Sequence, residues 1–415
     1  MKPGMKKLVL FGAGKIGRSF IAQLFSAGGY QVVFVDIVKA VINELNFRGS
    51  YQVILKGDVE SVITVSNVKG VFAGDEETVT DEICNADIIA TAVGQHGLQG
   101  VFPLLARGLV CRQDKYSNNP VDIIIAENLR NAAACFEVEL KKLLPAGFPF
   151  ESSVGLVETS IGKMVPVIKP EEIKNDLLKV YAEPYNTLIL DKMAFKGPIP
   201  EIEGLDPKEH MKAWVDRKLF IHNLGHAATA YLGYIYNPEF IFLYEALEVP
   251  EVLHEVKATM QQSADALVKK YPEEFTHQLL DQHIENLIHR FKNRQLGDTI
   301  FRVGCDLSRK LGPDDRLTGA IRLAQEMNAP FDKILFTLAC GCVFRATNEN
   351  GDLFPADIEF DRIYNTGIQN VLTKICGFDE KKDAEIIVLL EKYNERLTDK
   401  TIINLFPAER KLSKK

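Results

Sequence analysis

The 415-residue chain predicts an α/β fold: a doubly wound, mainly parallel sheet followed by a mainly α-helical domain. Three observations carry this. Short, continuously apolar runs rich in strand formers recur through the first half, as in strands buried on both faces. The glycine-rich turn Gly12-Ala13-Gly14-Lys15-Ile16-Gly17 joins the first such run to a helix pattern. From His210 onward the apolar residues fall at helical spacing nearly throughout. The densest turn signals between the two regimes are Gly197-Pro198-Ile199-Pro200 and Gly204-Leu205-Asp206-Pro207. Two domains are therefore expected, residues 1–200 and 201–415.

Composition bounds the function. Hydrophobic residues make up 46% and charged residues 25%, the balance of a soluble globular protein with a large core. A net charge of −7 argues against nucleic acid as a partner. No run approaches the roughly 18 apolar residues of a membrane helix, so no membrane partner is expected. The basic opening is followed only by Leu8 to Phe11 before glycines intervene, which is too short for a secretory leader. The 7 cysteines are odd in number and hold no C-x-x-C pair. They read as reduced thiols in a cytoplasmic protein.

The elements follow in order. Leu8-Val9-Leu10-Phe11 is the first buried strand. After the glycine turn, Ile16, Phe20, Ile21, Leu24 and Phe25 form one helical stripe, and Gly28-Gly29 stops it. Gln31 to Val35 is a second strand, ending in Asp36, 19 residues beyond Gly17. Strand, G-x-G-x-x-G, helix, strand and terminal acid in that order form the Rossmann dinucleotide fingerprint. Phe11 leads into the turn and Gly12 permits it. Gly14 lets the backbone of Ala13, Gly14, Lys15 and Ile16 approach a pyrophosphate at the helix N-terminus, and Gly17 lets helix and strand pack closely. Asp36 can accept from the adenosine ribose hydroxyls and repels a 2′-phosphate, so NAD is the expected cofactor. Lys15 and Arg18 are placed either to touch phosphate or to remain solvated.

Further strands are expected at 51–55, 62–65, 87–94, 121–126, 154–159, 178–182 and 187–190. Ligands of doubly wound folds lie at the carboxyl ends of strands. Ala92 and Val93, with Gly94, therefore line the nicotinamide side, and Glu127 and Asn128 face the cleft. Asn128 reads equally well as the N-cap of a helix starting near Leu129.

In the second half, helices are predicted over 218–234, 250–271, 278–291, 299–311, 317–327, 331–340 and 384–393. The first opens with Lys218-Leu219-Phe220-Ile221-His222-Asn223-Leu224-Gly225-His226. At about 100° per residue, His226 lies about 80° and Asn223 about 140° round from Lys218. An amine, a carboxamide and an imidazole then share one side, which suits either a substrate hydroxyl or plain solvent. Arg302 and Arg309 fall near one face of their helix, with Lys310 beside them and Arg316 in the next first turn. This basic group suits a phosphate or carboxylate, or ion pairs with Asp314 and Asp315. His222 and His226 are four apart, but H-E-x-x-H is absent and no third ligand is near, so no metal is expected.

Arg217-Lys218-Leu219-Phe220 with Asn223, Gly225-His226 and Thr229-Ala230-Tyr231-Leu232-Gly233 resembles the signature helix of the polyol-specific long-chain dehydrogenases. The likeness extends over most of the chain, through Phe11 to Arg18, Thr91 to Gly94, Ala126-Glu127-Asn128, Phe195-Lys196-Gly197, Arg302-Val303, Arg309-Lys310-Leu311 and Asp315-Arg316-Leu317. The resemblance implies an NAD-dependent, metal-free oxidoreductase acting on a small polyol or polyol phosphate. The expected pair is a sugar alcohol phosphate and its ketose phosphate, mannitol 1-phosphate and fructose 6-phosphate. An acyclic uronate of the fructuronate or tagaturonate type is the alternative substrate, and a non-catalytic NAD sensor the alternative class. It implies Lys218 as general acid and base, Asn128 and Asn223 as oxyanion partners, and His226 as the residue that orients substrate. Glu127 either passes the proton onward or makes a structural hydrogen bond. Arg302, Arg309, Lys310 and Arg316 would grip the phosphate. Gly162-Lys163 stands where the family usually carries an Asp-Arg pair, which leaves the choice of polyol open.

Overall fold

The computed structural model describes residues 4–117, 119–166, 172 and 175–399. The chain divides into two compact units, Met1–Val215 and Asp216–Lys415. The sheet of the first unit runs on past the expected boundary at residue 200, because its last strand lies at Leu205–Lys208.

In the first unit the strands are β1 (Lys7–Phe11), β2 (Gln31–Asp36), β3 (Ser50–Leu55), β4 (Ser61–Ser66), β5 (Val68–Phe72), β6 (Ile88–Thr91), β7 (Val121–Ile125), β8 (Val154–Ile161), β9 (Val180–Ala182), β10 (Leu188–Asp191) and β11 (Leu205–Lys208). They form an eight-stranded sheet in the order β11-β10-β8-β7-β6-β1-β2-β5. All its neighbours are parallel except β8 and β10. Burial explains the apolar runs. Leu8 and Leu10 of β1 enter one core cluster with Phe20, Phe25 and Phe34, while Val9 and Phe11 enter another with Phe102 and Phe136. Both faces of the sheet are thus covered, as an all-apolar strand requires. The expected strand at 178–182 belongs elsewhere: β9 pairs with β3, in a separate three-stranded sheet β4-β3-β9.

The second unit is helical among its described residues, apart from an isolated bridge between Phe242 and Thr299. Lys218–Asn223 is a π-helical turn that runs directly into the α-helix Leu224–Tyr236. Two glycines let that helix lie close to its neighbours. A Cβ on Gly225 would meet Met260 Sδ at 2.5 Å, and one on Gly233 would meet the Ala246 Cβ at 2.6 Å. Met260 belongs to the helix Pro250–Lys270, which starts on proline as expected.

The helix predicted over 299–311 is two short ones, Ile300–Gly304 and Leu307–Lys310. Asp306 breaks it with a left-handed backbone (φ +72°). The Asp357 carboxylate stabilises the break by accepting from the N–H groups of Asp306 (2.9 Å) and Leu307 (2.6 Å). The helices Leu243–Glu248, Pro355–Asn365 and Ile368–Lys374 were not anticipated. Among the described residues, no helix is long and apolar enough to cross a membrane.

Candidate active site

In the first unit the glycine turn follows β1, and its three glycines divide the work. A Cβ on Gly12 (φ +98°) would lie 2.4 Å from the Ala92 carbonyl oxygen, and one on Gly17 would lie 2.0 Å from that of Gly12. A Cβ on Gly14 would meet no heavy atom within 4 Å. The outer glycines are therefore required by packing, while the middle one leaves open space at a helix start, where backbone N–H groups favour an anion. Asp36, at the end of β2, accepts from the N–H groups of Ala13 (2.7 Å) and Val38 (2.8 Å). It is thereby fixed against the turn. This constellation fits a dinucleotide with a free ribose. Arg18 is no candidate for phosphate: it is buried, and donates through Nε to the Ala13 carbonyl (2.7 Å) and through Nη1 to that of Leu177 (3.0 Å).

At the ends of β6 and β7, Ala92 and Val93 begin a loop that Glu127 shapes. One Glu127 oxygen accepts from Val93 N–H and the other from Gly94 N–H, each at 2.9 Å. Burial raises the Glu127 pKa, against the pull of these two donors. Asn128 is exposed and does not cap a helix, since the next one begins at Ala132, after Asn131 with φ +52°. Glu158 supports that helix start by accepting from Ala133 N–H at 2.9 Å. Lys163, at the position where the sequence departs from its family, is built into the packing of this unit. Its ammonium donates to Asn186 Oδ1 (2.8 Å) and Gln23 Oε1 (3.2 Å), above the Phe20 ring.

In the second unit the π-helical turn changes the geometry read from an ideal helix. The Leu224 N–H reaches back five residues to the Leu219 carbonyl. Residues five apart then stand as residues four apart do in an α-helix. Asn223 sits about 40° from Lys218 rather than about 140°, and all three polar groups fall within about 60°. Phe220, Ile221 and Leu224 are buried on the other side, as expected, and His222 is buried too.

Electrostatics follow from this crowding. Desolvation, then Arg316 and Arg309 against an opposing Asp315, push Lys218 down to about 8. His226 is held well below its ordinary value by desolvation and by Arg302, Arg316, Lys310 and Arg290. Its ring stacks on Phe291 (centroids 4.9 Å apart, planes 17° apart), and its Nε2 lies 3.1 Å from Asp298 Oδ2.

The basic group lies around these residues, but Arg302 and Arg309 do not share a helix face as expected, because the break at Asp306 puts them on two helices. Arg302 pairs with Asp298. Arg309 pairs with Asp306 and, at 3.6 Å, with Asp315. Arg316 pairs with Asp315 (2.7 Å) and donates to the Asn223 carbonyl at 3.4 Å. Lys310 is buried, donates to the Val303 carbonyl at 2.8 Å, and is pushed down to about 8 by burial and by Arg316. Among the described residues no group of three or more His, Cys, Asp or Glu is placed to hold a metal. Sequence reasoning missed Asp298 and Phe291, which carry no motif of their own.

Residues 6–204 match the family model of the mannitol dehydrogenase Rossmann domain, and residues 210–401 that of the mannitol dehydrogenase C-terminal domain. Pseudomonas fluorescens mannitol 2-dehydrogenase, solved as a ternary complex with NAD and D-mannitol, is similar over 96% of this chain and 93% of its own, with a TM-score of 0.74 and 16% identity. A D-sorbitol dehydrogenase in substrate-free form is similar over 96% and 94%, with a TM-score of 0.77 and 18% identity. At these identities the two structures establish a shared fold.

Proposed function

This chain belongs to the mannitol dehydrogenase family and is an NAD-dependent polyol dehydrogenase, and on that premise we propose that it interconverts mannitol 1-phosphate and fructose 6-phosphate. The observation that carries the phosphate is the gathering of Arg302, Arg309, Lys310 and Arg316 about the helix of Lys218, Asn223 and His226. Phosphate is recognised by such clustered, forked donors.

In the oxidative direction Lys218 takes the proton of the reacting hydroxyl. An unperturbed lysine is a free amine in only about 0.04% of molecules at pH 7; at about 8 the share is about a tenth. The lowered value is thus worth roughly 200-fold in available base. Bound NAD supplies the hydride acceptor, and its reduced form the donor. Asn223 donates to the oxygen as negative charge develops, and His226 orients the adjacent hydroxyl; the family resemblance implies Asn128 as a further oxyanion donor. Glu127 fits a loop-shaping role better than proton relay, because both its oxygens already accept from backbone N–H groups. The cysteine pattern supports a cytoplasmic setting.

A second reading has its own observation. Each of the three arginines is ion-paired to a carboxylate, so the group carries less net charge than its sequence suggests. That favours an uncharged polyol such as mannitol or sorbitol. A substrate panel decides: fructose 6-phosphate, fructose, fructuronate and tagaturonate, each with NADH. The proposal expects the phosphorylated ketose to lead in kcat/KM by at least tenfold; no NADH oxidation with any phosphorylated ketose refutes it.

A further inference from the structure

We propose that Asp298 is a positioning residue of this enzyme: one carboxylate oxygen fixes the tautomer of His226, and the other holds the Arg302 guanidinium. The inference rests on the reading that His226 faces substrate. Asp298 is 8% exposed and has no freedom to wander. It follows Gly297 (φ +62°), and its carbonyl accepts from Leu243 N–H at 3.0 Å. Next to it Thr299 bridges to Phe242, and Ile300 N–H donates to the Ile241 carbonyl at 2.8 Å. The side chain is thus presented from a pinned backbone. Its Oδ2 meets His226 Nε2 at 3.1 Å, and its Oδ1 accepts from Arg302 Nη2.

The consequence is chemical. Burial, then four cationic neighbours, hold the His226 pKa well below its ordinary value, which favours a neutral ring at pH 7 and a hydrogen bond to Asp298 rather than an ion pair. A neutral imidazole has a single N–H, and an ionised carboxylate can only accept. The proton therefore sits on Nε2, and Nδ1 carries a lone pair. His226 then receives a hydrogen bond from a substrate hydroxyl and does not donate one. The stack on Phe291 fixes the plane of the ring, and Asp298 fixes its polarity. Holding Arg302 with the same carboxylate ties the register of the substrate's anionic end to that of the hydroxyl read by His226.

The test is 15N NMR of the full-length, NAD-bound enzyme labelled at histidine, at pH 7, with the His226 signals identified by their loss in His226→Asn. Nitrogen shifts separate the two neutral tautomers from each other and from imidazolium. Wild type is expected to show the Nε2–H form. Asp298→Ala is expected to give a tautomer mixture and to lower kcat about tenfold, on mannitol 1-phosphate and mannitol alike. Asp298→Asn retains an accepting oxygen, so it is expected to keep the Nε2–H form and to hold kcat within about threefold of wild type. Wild-type His226 protonated on Nδ1, or on both nitrogens, overturns the proposal, as does an unchanged tautomer in Asp298→Ala. If Asp298→Ala does not fold, wild type and Asp298→Asn decide between them. A protein inactive on the phosphorylated polyol that still shows the Nε2–H form, lost in Asp298→Ala, fails the substrate reading and upholds this one.

Discussion

Among the described residues each unit contains one π-helical turn near a candidate functional segment, Gly17–Ile21 after the glycine loop and Lys218–Asn223 at the amine. The backbone device is the same. The Ala22 N–H reaches the Gly17 carbonyl, and the Leu224 N–H reaches that of Leu219. Each turn skips the next carbonyl, which drops out of the helical ladder. In each a hydroxyl from another element meets it: Tyr51 Oη donates to the Arg18 carbonyl at 2.7 Å, and Ser263 Oγ to that of Phe220 at 2.6 Å. The side chains differ. All five residues of the first turn are buried, so its extra residue serves packing behind the nucleotide loop. The second turn leaves Lys218 and Asn223 part-exposed and rotates them onto one side. One deformation thus serves core packing in one place and, on the proposed function, the alignment of reactive groups in the other.

The comparison breaks most visibly at Lys218. Lys218→Ala is expected to lower kcat by about 10³-fold while leaving NAD affinity within twofold, measured by steady-state kinetics and cofactor titration. In wild type, oxidation should rise with pH through about 8 as the amine is freed, and reduction should fall over the same range. Both limbs vanish in the variant; an unchanged profile removes Lys218 from the proton transfer.

Ser263→Ala tests the second turn without touching its polar face. It strands the Phe220 carbonyl, so the helix relaxes toward regular winding and Asn223 swings away from Lys218. About a tenfold loss in kcat is expected, with the KM for NAD unchanged. Tyr51→Phe is the matching change in the first turn, and its expected signature is the reverse. Stability falls by about 1–3 kcal/mol, read as a lower melting temperature, and kcat holds. Equal losses of kcat in the two variants would erase the distinction between the turns.

What was legible in the sequence follows the same line. A strand such as β1 shows itself because every residue is apolar and both faces are covered. The fingerprint shows itself because each glycine answers a local need. The winding of Lys218–Asn223 does not, since a constant angle per residue is assumed before any pattern is read. The break at Asp306 is hidden for another reason: apolar spacing continues across it, and the carboxylate that stabilises it is Asp357, 51 residues away. Arg18 reads in sequence as a phosphate contact or a solvated cation, and only the carbonyl oxygens that meet it reveal its burial. Arg302 and Arg309, expected on one helix face, stand on two helices because of the break at Asp306.

The contact between Gly225 and Met260 also bears on how this enzyme ages. The thioether is fully buried and lies where even a Cβ on the helix Leu224–Tyr236 would collide at 2.5 Å. A fully buried sulfur is reached by an oxidant only when its surroundings open, and the polar sulfoxide then disfavours repacking against Gly225. Sulfoxide at Met260 is therefore expected to accumulate under peroxide at the rate at which its surroundings open, in contrast to the exposed Met193.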